Sequence, residues 1–283
     1  MTNAGTGTDK LLSDFREEYN SAESVRRYTA KTAGVGVSYL LEHDYGEIYL
    51  DVVQRFLSPV ALENGLSLWE FGCGGGMNLI HLVSVLHSRG IPIKRAYGTD
   101  LSESLIEAAQ REANSYLPPE LRKRVQFCVA VNEHLVEGAA AGFGVAAETL
   151  VGSFEFIIGV NTIRYCHRLR TENNCAEGIR GLLSPGGVCV VIDMNDRFPA
   201  FRSRLRDRLT KEPAALAIPS LDGYARPFAD AGFEILRKEH FCWIPHSAGK
   251  ALTATMRALS PLLDAVCRSR AMRSLVVARK PAA

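Results

Sequence analysis

The stretch that decides the fold is Leu66-Ser-Leu-Trp-Glu-Phe-Gly-Cys-Gly-Gly-Gly-Met-Asn-Leu79. Leu66, Leu68, Trp69 and Phe71 form a short apolar, strand-favouring run, and Gly72, Gly74, Gly75 and Gly76 let the backbone turn sharply without a Cβ penalty. Leu79, Ile80, Leu82, Val83, Val85 and Leu86 then recur at the spacing of one helical face. The glycines therefore join the C-terminal end of a strand to the N-terminus of a helix, the junction at which open α/β sheets bind ligands.

Working outward, Arg95-Ala-Tyr-Gly-Thr reads as a second strand closed by Asp100, and Ser102 caps a helix carrying Leu105, Ile106 and Ala109 on one face. Val125 to Val131 is a third strand, and Phe154 to Val160 a fourth. A helix around Glu172 to Leu183 and a turn at Ser184-Pro-Gly-Gly187 precede a fifth strand, Val188 to Met194. The alanine- and glycine-rich connection from Glu137 to Ser153 has no defined pattern. In the tail, a helix at Leu221 to Ala231, a strand at Phe233 to Trp243, a helix at Lys250 to Cys267 and a strand at Met272 to Ala278 are expected, the last strand edge-like and antiparallel to its predecessor. Strands alternating with helices at this rhythm imply right-handed βαβ units in a parallel, doubly wound sheet.

Before the sheet, residues 1 to about 10 read as a frayed tail, with order expected from Leu11. A tyrosine-rich helical prelude follows to about Pro59, interrupted at Gly34, Gly36 and His43-Asp-Tyr-Gly46. It is expected either to pack on the sheet edge or to cap a pocket. The domain plan is a disordered tail and helical N-terminal cap over 1–59, then a main domain over 60–283 with a substrate-shaping insertion at about 196–270.

Composition narrows the function classes. With 47% hydrophobic and 23% charged residues, 283 residues can bury the core of one large globular domain. A net charge of only +2 argues against nucleic-acid binding by bulk electrostatics. The densest basic cluster, Arg202, Arg204, Arg206, Arg208 and Lys211, alternates with Leu205, Asp207 and Leu209 and reads as a solvated helix face. Seven cysteines without a Cys-x-x-Cys pair indicate neither a disulfide framework nor a structural zinc site. The N-terminus lacks signal-peptide character and no run is long enough to span a bilayer, so a cytoplasmic protein is expected.

A strand, glycines, a helix and then an acidic residue first suggest a dinucleotide site. The spacing disagrees, because the third position of Gly-x-Gly-x-x-Gly falls on Met77, whose bulk opposes close helix–strand packing. Four stretches instead resemble the Rossmann-like class of S-adenosylmethionine-dependent methyltransferases. Glu70-Phe-Gly-Cys-Gly-Gly-Gly76 matches that family's acidic-x-Gly-x-Gly-x-Gly loop, and Asp100-Leu101-Ser102 its acidic residue closing the second strand. Phe154 to Ile158 is similar to its fourth strand, and Leu183-Ser-Pro-Gly-Gly187 to its turn before the fifth. Their order and spacing over residues 65 to 195 make the match specific.

The resemblance implies an α/β fold with a mostly parallel, seven-stranded Rossmann-like sheet, an antiparallel last strand and a helical N-terminal cap. It implies S-adenosylmethionine as cofactor and S-adenosylhomocysteine as product, held by Glu70, Gly72, Cys73, Gly74, Gly76, Asp100, Leu101, Asn132, Glu133 and Asn161. Asp100 would accept hydrogen bonds from the ribose hydroxyls, with Leu101 against the adenine and Glu70 near the ammonium. The third strand ends Ala130-Val-Asn-Glu133, so the family's acidic adenine contact shifts to Asn132 or Glu133 or is lost.

Methyl transfer from a sulfonium is an in-line displacement that needs alignment and desolvation, and a base only when the acceptor must lose a proton. His167, His246 and Tyr165 are the catalytic candidates; a capping or surface role for His167 is the alternative. Tyr19, Tyr28, Tyr39, His43, Arg164 and Trp243 are candidates for the acceptor pocket, Arg164 because it could recognise a carboxylate or phosphate. His43, His167 and His246 show no paired spacing, so no metal is expected. The function expected is methylation of a small-molecule metabolite or natural product. Its rivals are a protein, peptide or lipid-quinone acceptor and a non-catalytic S-adenosylmethionine-binding partner subunit. No nucleic acid and no membrane span are expected as partners, and a homodimer stays open.

Overall fold

The computed structural model describes residues 4–29, 35–202 and 218–282. At its centre the run Leu66–Phe71 is strand β1, buried at every position. It is joined by β2 (Ile93–Asp100), β3 (Val125–Val129), β4 (Phe154–Val160), β5 (Leu183–Met194), β6 (Glu234–Phe241) and β7 (Arg273–Arg279) in the order β3-β2-β1-β4-β5-β7-β6. The first five pair in parallel, and β7 runs antiparallel to both neighbours. The chain leaves β1 toward β2 on one side and meets β4 on the other, so a crevice opens above the carboxyl ends of β1 and β4.

The last strand is antiparallel as expected, but it is not an edge. It inserts between β5 and β6, and β6 takes the rim. Burial explains the order: Leu275, Val276, Val277 and Ala278 have no polar side chain to give to solvent, whereas β6 carries Arg237-Lys238-Glu239, charges that suit an exposed edge.

The helices are α1 (Ala4–Asn20), α2 (Ala22–Thr29), α3 (Val35–Tyr39), α4 (Gly46–Phe56), α5 (Pro59–Asn64), α6 (Met77–Ser88), α7 (Glu103–Tyr116), α8 (Pro119–Arg122), α9 (Leu135–Phe143), α10 (Ile163–Leu169), α11 (Glu172–Leu182), α12 (Pro199–Arg202), α13 (Leu221–Asp230) and α14 (Lys250–Cys267). They cover both faces of the sheet. Leu68, Phe156, Val190 and Leu275 meet α4 and α6 on one face, and Trp69, Phe71, Ile157 and Val191 meet α9, α11 and α13 on the other. Tyr45, Tyr49, Val52 and Val53 belong to the first of these cores, so the prelude from Leu40 onward builds the main body rather than standing apart from it.

Several local expectations change. α1 begins at Ala4, within the stretch read as a frayed tail. The break expected at His43-Asp-Tyr-Gly46 is a single π-turn, Leu40–Tyr45, that runs straight into α4. Gly46 permits it, because a Cβ there would lie 2.5 Å from the Leu41 carbonyl oxygen. The connection after Glu137 is largely helical, continuing α9. Its Gly142 lets that helix settle on β3, where an added Cβ would meet the Cys128 sulfur at 2.6 Å. Ser184-Pro-Gly-Gly187 lies inside β5, where it shifts the register against β4, rather than forming a turn before the strand. Most of the basic cluster, from Arg204 to Lys211, lies outside the described residues.

Candidate functional site

Above the carboxyl ends of the central strands lies a cavity of about 230 Å³. Its floor is the loop between β1 and α6. Gly72, Gly74 and Gly76 take φ of 61°, 52° and 77°, the left-handed region that favours glycine. The three differ in what else demands glycine. A Cβ on Gly72 would sit 2.0 Å from Thr162 Oγ1, and one on Gly76 would be 2.9 Å from Ala109 Cβ, whereas one on Gly74 would meet nothing within 4 Å. Gly74 is thus the point where bare backbone faces the cavity. Cys73 also lines it, but burial pushes its thiol well above the usual range, which removes it as a nucleophile.

Glu70 does not line this cavity. Its side chain is fully buried, with Oε2 accepting from the Leu79 backbone N–H at 2.9 Å and Oε1 from Asn78 Nδ2 at 3.2 Å. The carboxyl group therefore closes the first turn of α6, where helix N–H groups have no internal partner.

Asp100, at the end of β2, does reach the wall. Its Oδ2 accepts from Gly74 N–H at 2.8 Å and its Oδ1 from Ser102 N–H at 3.0 Å, which fixes the carboxylate at the rim of the glycine loop. Burial raises its pKa, and those backbone bonds act the other way. Leu101, Asn132, Glu133 and Asn161 join it on the wall. β3 stops at Val129, and a turn at Asn132–His134 carries Asn132 and Glu133 to the wall. Asn132 Nδ2 donates to Thr162 Oγ1 at 3.0 Å. Asn161 adopts φ 57°, a conformation asparagine tolerates better than bulkier residues, while its N–H bonds the Ile192 carbonyl at 2.7 Å.

The opposite wall comes from α10, α1, the π-turn and β7. Arg164 is buried and forms an ion pair with Asp193 at 2.9 Å, also donating to the Tyr165 hydroxyl at 2.8 Å. Tyr165 in turn shares a hydrogen bond with the Tyr19 hydroxyl, and Phe15 packs edge-on against its ring at 5.4 Å. The end of α1 is tied to the start of α7, because Ser102 Oγ donates to the Tyr19 carbonyl and lies 2.7 Å from Asn20 Oδ1. These bonds roof the cavity with α1.

Of the expected pocket and catalytic residues, Tyr19, Arg164, Tyr165 and His246 meet at the cavity. His167 does not. It lies on the other side of α10, its Nδ1 3.6 Å from Glu172 and its ring 5.8 Å from that of Tyr224, and burial lowers its pKa. Tyr39 and His43 stack on each other at 4.6 Å, and Trp243 Nε1 donates to Asp264; none of the three lines the cavity. The Tyr28 side chain lies outside the described residues. Among those residues no cluster of His, Cys, Asp and Glu could hold a metal ion.

Among the wall residues that were not expected are Tyr45, Thr162, Met194 and Arg273. Arg273 left a readable signal, a charge opening a strand whose centre, Leu275 to Ala278, is apolar. His246 Nε2 is hydrogen-bonded to an Arg273 NH2, and since a guanidinium only donates, that nitrogen must accept. The arrangement thus offers a carboxylate beside bare backbone, two guanidinium groups and a tyrosine roof, with no histidine nitrogen free on the wall as a base.

A family profile described as a methyltransferase domain matches residues 41–244. No curated protein matches the chain. Among solved structures, magnesium protoporphyrin IX methyltransferase from Synechocystis PCC 6803 with bound SAH is similar at 14% identity and TM-score 0.58, over 95% of this chain and 99% of that one. A SAM-dependent methyltransferase from Aquifex aeolicus is similar at 15% identity and TM-score 0.51, over 96% and 98%. The [4+2]-cyclase SpnF is similar at 17% identity and TM-score 0.52, over 84% and 81%. At these identities the likeness is one of fold, and the cyclase illustrates that a fold does not dictate its reaction.

Proposed function

We propose, from the premise that this chain belongs to the methyltransferase family, that it transfers a methyl group from S-adenosylmethionine to a small-molecule acceptor. The residues fit the donor. Gly74 presents open backbone, and Asp100 presents an oriented carboxylate beside the apolar Leu101. Asp100 would take the ribose hydroxyls, and Asn132 or Glu133 would meet the adenine amino group. When bound, the donor supplies a sulfonium methyl and leaves as a neutral thioether, so no acid is required.

The chain's own contribution is alignment and exclusion of water. Tyr19 and Tyr165 close the roof, and Arg164 is held by Asp193 in a fixed pose. The observation that supports a small acceptor is the roof: α1 lies over the cavity and is tied to the start of α7 through Ser102. Among the described residues no helix is long and apolar enough to cross a membrane.

The test is incubation with methyl-labelled S-adenosylmethionine and a fractionated metabolite extract. Label is expected in a small-molecule fraction; label only in protein, or in nothing, overturns the reading. A second expectation concerns His167. Because its ring faces Glu172 and Tyr224 rather than the cavity, His167→Ala should retain turnover within a few-fold. Loss of about a hundredfold or more, the range of general-base removal, would restore it to the mechanism.

A further inference from the structure

Arg273 is a buried cation without a counter-charge. It is 2% exposed, lies on β7 and lines the cavity on the side of Tyr45 and His246. One terminal nitrogen donates to Asn161 Oδ1 at 2.5 Å and the other to His246 Nε2, both uncharged acceptors. Its Nε has no partner. None of the ion pairs among the described residues includes it. The other guanidinium on the wall, Arg164, has Asp193 at 2.9 Å. A buried charge is costly unless paired, so a cation left this way marks a place where a ligand completes the pair.

A second unpartnered donor belongs to the same end of the cavity. The Tyr45 hydroxyl, on a residue 1% exposed, makes no hydrogen bond, and it lies in the field of Arg273. Neither of the acids whose charge also reaches Tyr45 forms an ion pair with Arg273. Asp193 is paired with Arg164, while Asp44 is drawn toward its neutral form by burial and bonded to Cys242. What remains is one unpaired positive charge, with the Arg273 Nε–H and the Tyr45 O–H unpartnered on two residues that line the cavity.

We propose that this end of the cavity binds a carboxylate on the acceptor, with Arg273 supplying the charge and one hydrogen bond and Tyr45 the other. A carboxylate brings one negative charge to the one unpaired guanidinium, whereas a phosphate would bring more charge than Arg273 alone can meet. A protonated amine at this position meets Arg273 as a like charge. The identification of the ligand as acceptor rests on the methyltransferase reading, whereas binding of the acid does not.

The experiment uses the full chain saturated with S-adenosylhomocysteine. It is titrated by calorimetry with matched acids and amides: benzoate and benzamide, 4-hydroxybenzoate and 4-hydroxybenzamide, indole-3-acetate and indole-3-acetamide, hexanoate and hexanamide. Hydrogen bonds to charged groups predict a preference of roughly ten- to a hundredfold for at least one acid over its amide. In Arg273→Gln that preference should fall to near unity, in Arg273→Lys it should survive in part, and in Tyr45→Phe it should drop several-fold. No acid preference in the native protein, or an undiminished preference in Arg273→Gln, overturns the proposal. Should Arg273→Gln fail to fold, an undiminished preference in Tyr45→Phe does so. A separate titration with S-adenosylmethionine keeps the readings apart: acid binding without donor binding sinks the methyltransferase reading alone, and donor binding without acid preference sinks this proposal alone.

Discussion

In Asp100→Asn, affinity for S-adenosylmethionine is expected to fall on the order of a hundredfold by calorimetry, with circular dichroism unchanged. The carboxylate is only 9% exposed and is held by the Gly74 and Ser102 N–H groups, so it is already aimed before any ligand arrives. Hydrogen bonds to a charged group contribute about 1.5–3 kcal/mol each, and two ribose hydroxyls on one carboxylate therefore amount to roughly 3 kcal/mol or more, a factor of about a hundred. Asparagine keeps the shape and one acceptor but turns an amide toward groups that are themselves donors. Alanine is the poorer probe, because it strips the partner from two backbone N–H groups and confounds binding with folding. Unchanged affinity in the asparagine variant would remove Asp100 from the donor site.

Glu70→Gln is expected to change the pH dependence of stability more than any substitution on the cavity wall. Burial pushes the Glu70 carboxyl from its ordinary 4.5 up to about 8, against the lowering effect of its bonds from Asn78 and Leu79, with a further rise from Asp100. Below about pH 4.5 the group is protonated in folded and unfolded chains alike. Between 4.5 and 8 the unfolded chain gives up the proton and the folded chain retains it, so the native state binds more protons and stability falls as pH rises. Above 8 the loss is complete. At about 1.4 kcal/mol for each pH unit in the window the loss reaches a few kcal/mol.

Glutamine keeps a carbonyl acceptor for the Leu79 N–H and cannot ionise. Urea-unfolding profiles of the two proteins should therefore agree near pH 5 and separate by pH 8, with Glu70→Gln the more stable. Asp44 and Asp100, whose carboxyls are also raised by burial, add a slope of the same sign to both proteins and cancel in the comparison. Parallel profiles would show that Glu70 is ionised throughout.

Much of the glycine-loop side of the cavity was legible because local chemistry encodes it. Glycines at 72, 74 and 76 announce left-handed backbone between a strand and a helix. An aspartate closing the next strand announces a carboxylate at the same rim. Asn132, Glu133 and Asn161 end or follow neighbouring strands, and a parallel sheet brings strand ends to one edge whatever the helices do. Glu70 shows the limit of that logic. Its position in the motif is unmistakable, yet which way a buried carboxylate turns depends on whether the helix beside it leaves N–H groups unpaired.

The opposite wall was legible only in part: Tyr19, Arg164, Tyr165 and His246 reach it as expected, while other candidates do not. On α10 a step of one residue rotates a side chain by about 100°. His167 therefore faces Glu172 while Arg164 and Tyr165 face the cavity, and only packing against α11 and α13 decides which. Tyr45 reaches the wall through a π-turn that reads in the sequence as a break. Tyr39, His43 and Trp243 share the aromatic and polar character of pocket residues but find partners among themselves and Asp264.

By itself the sequence determined the α/β class, the strand–glycine–helix junction and the carboxylate beside it, because hydrophobic period and backbone conformation are properties of neighbours in the chain. Tertiary structure alone decided that β7 runs inside the sheet and so carries Arg273 next to Tyr45, His246 and Asn161. That assembly joins residues more than two hundred positions apart. It follows from burying a strand with the apolar run Leu275 to Ala278 between two others, an energy that belongs to the whole sheet and to no single stretch of it.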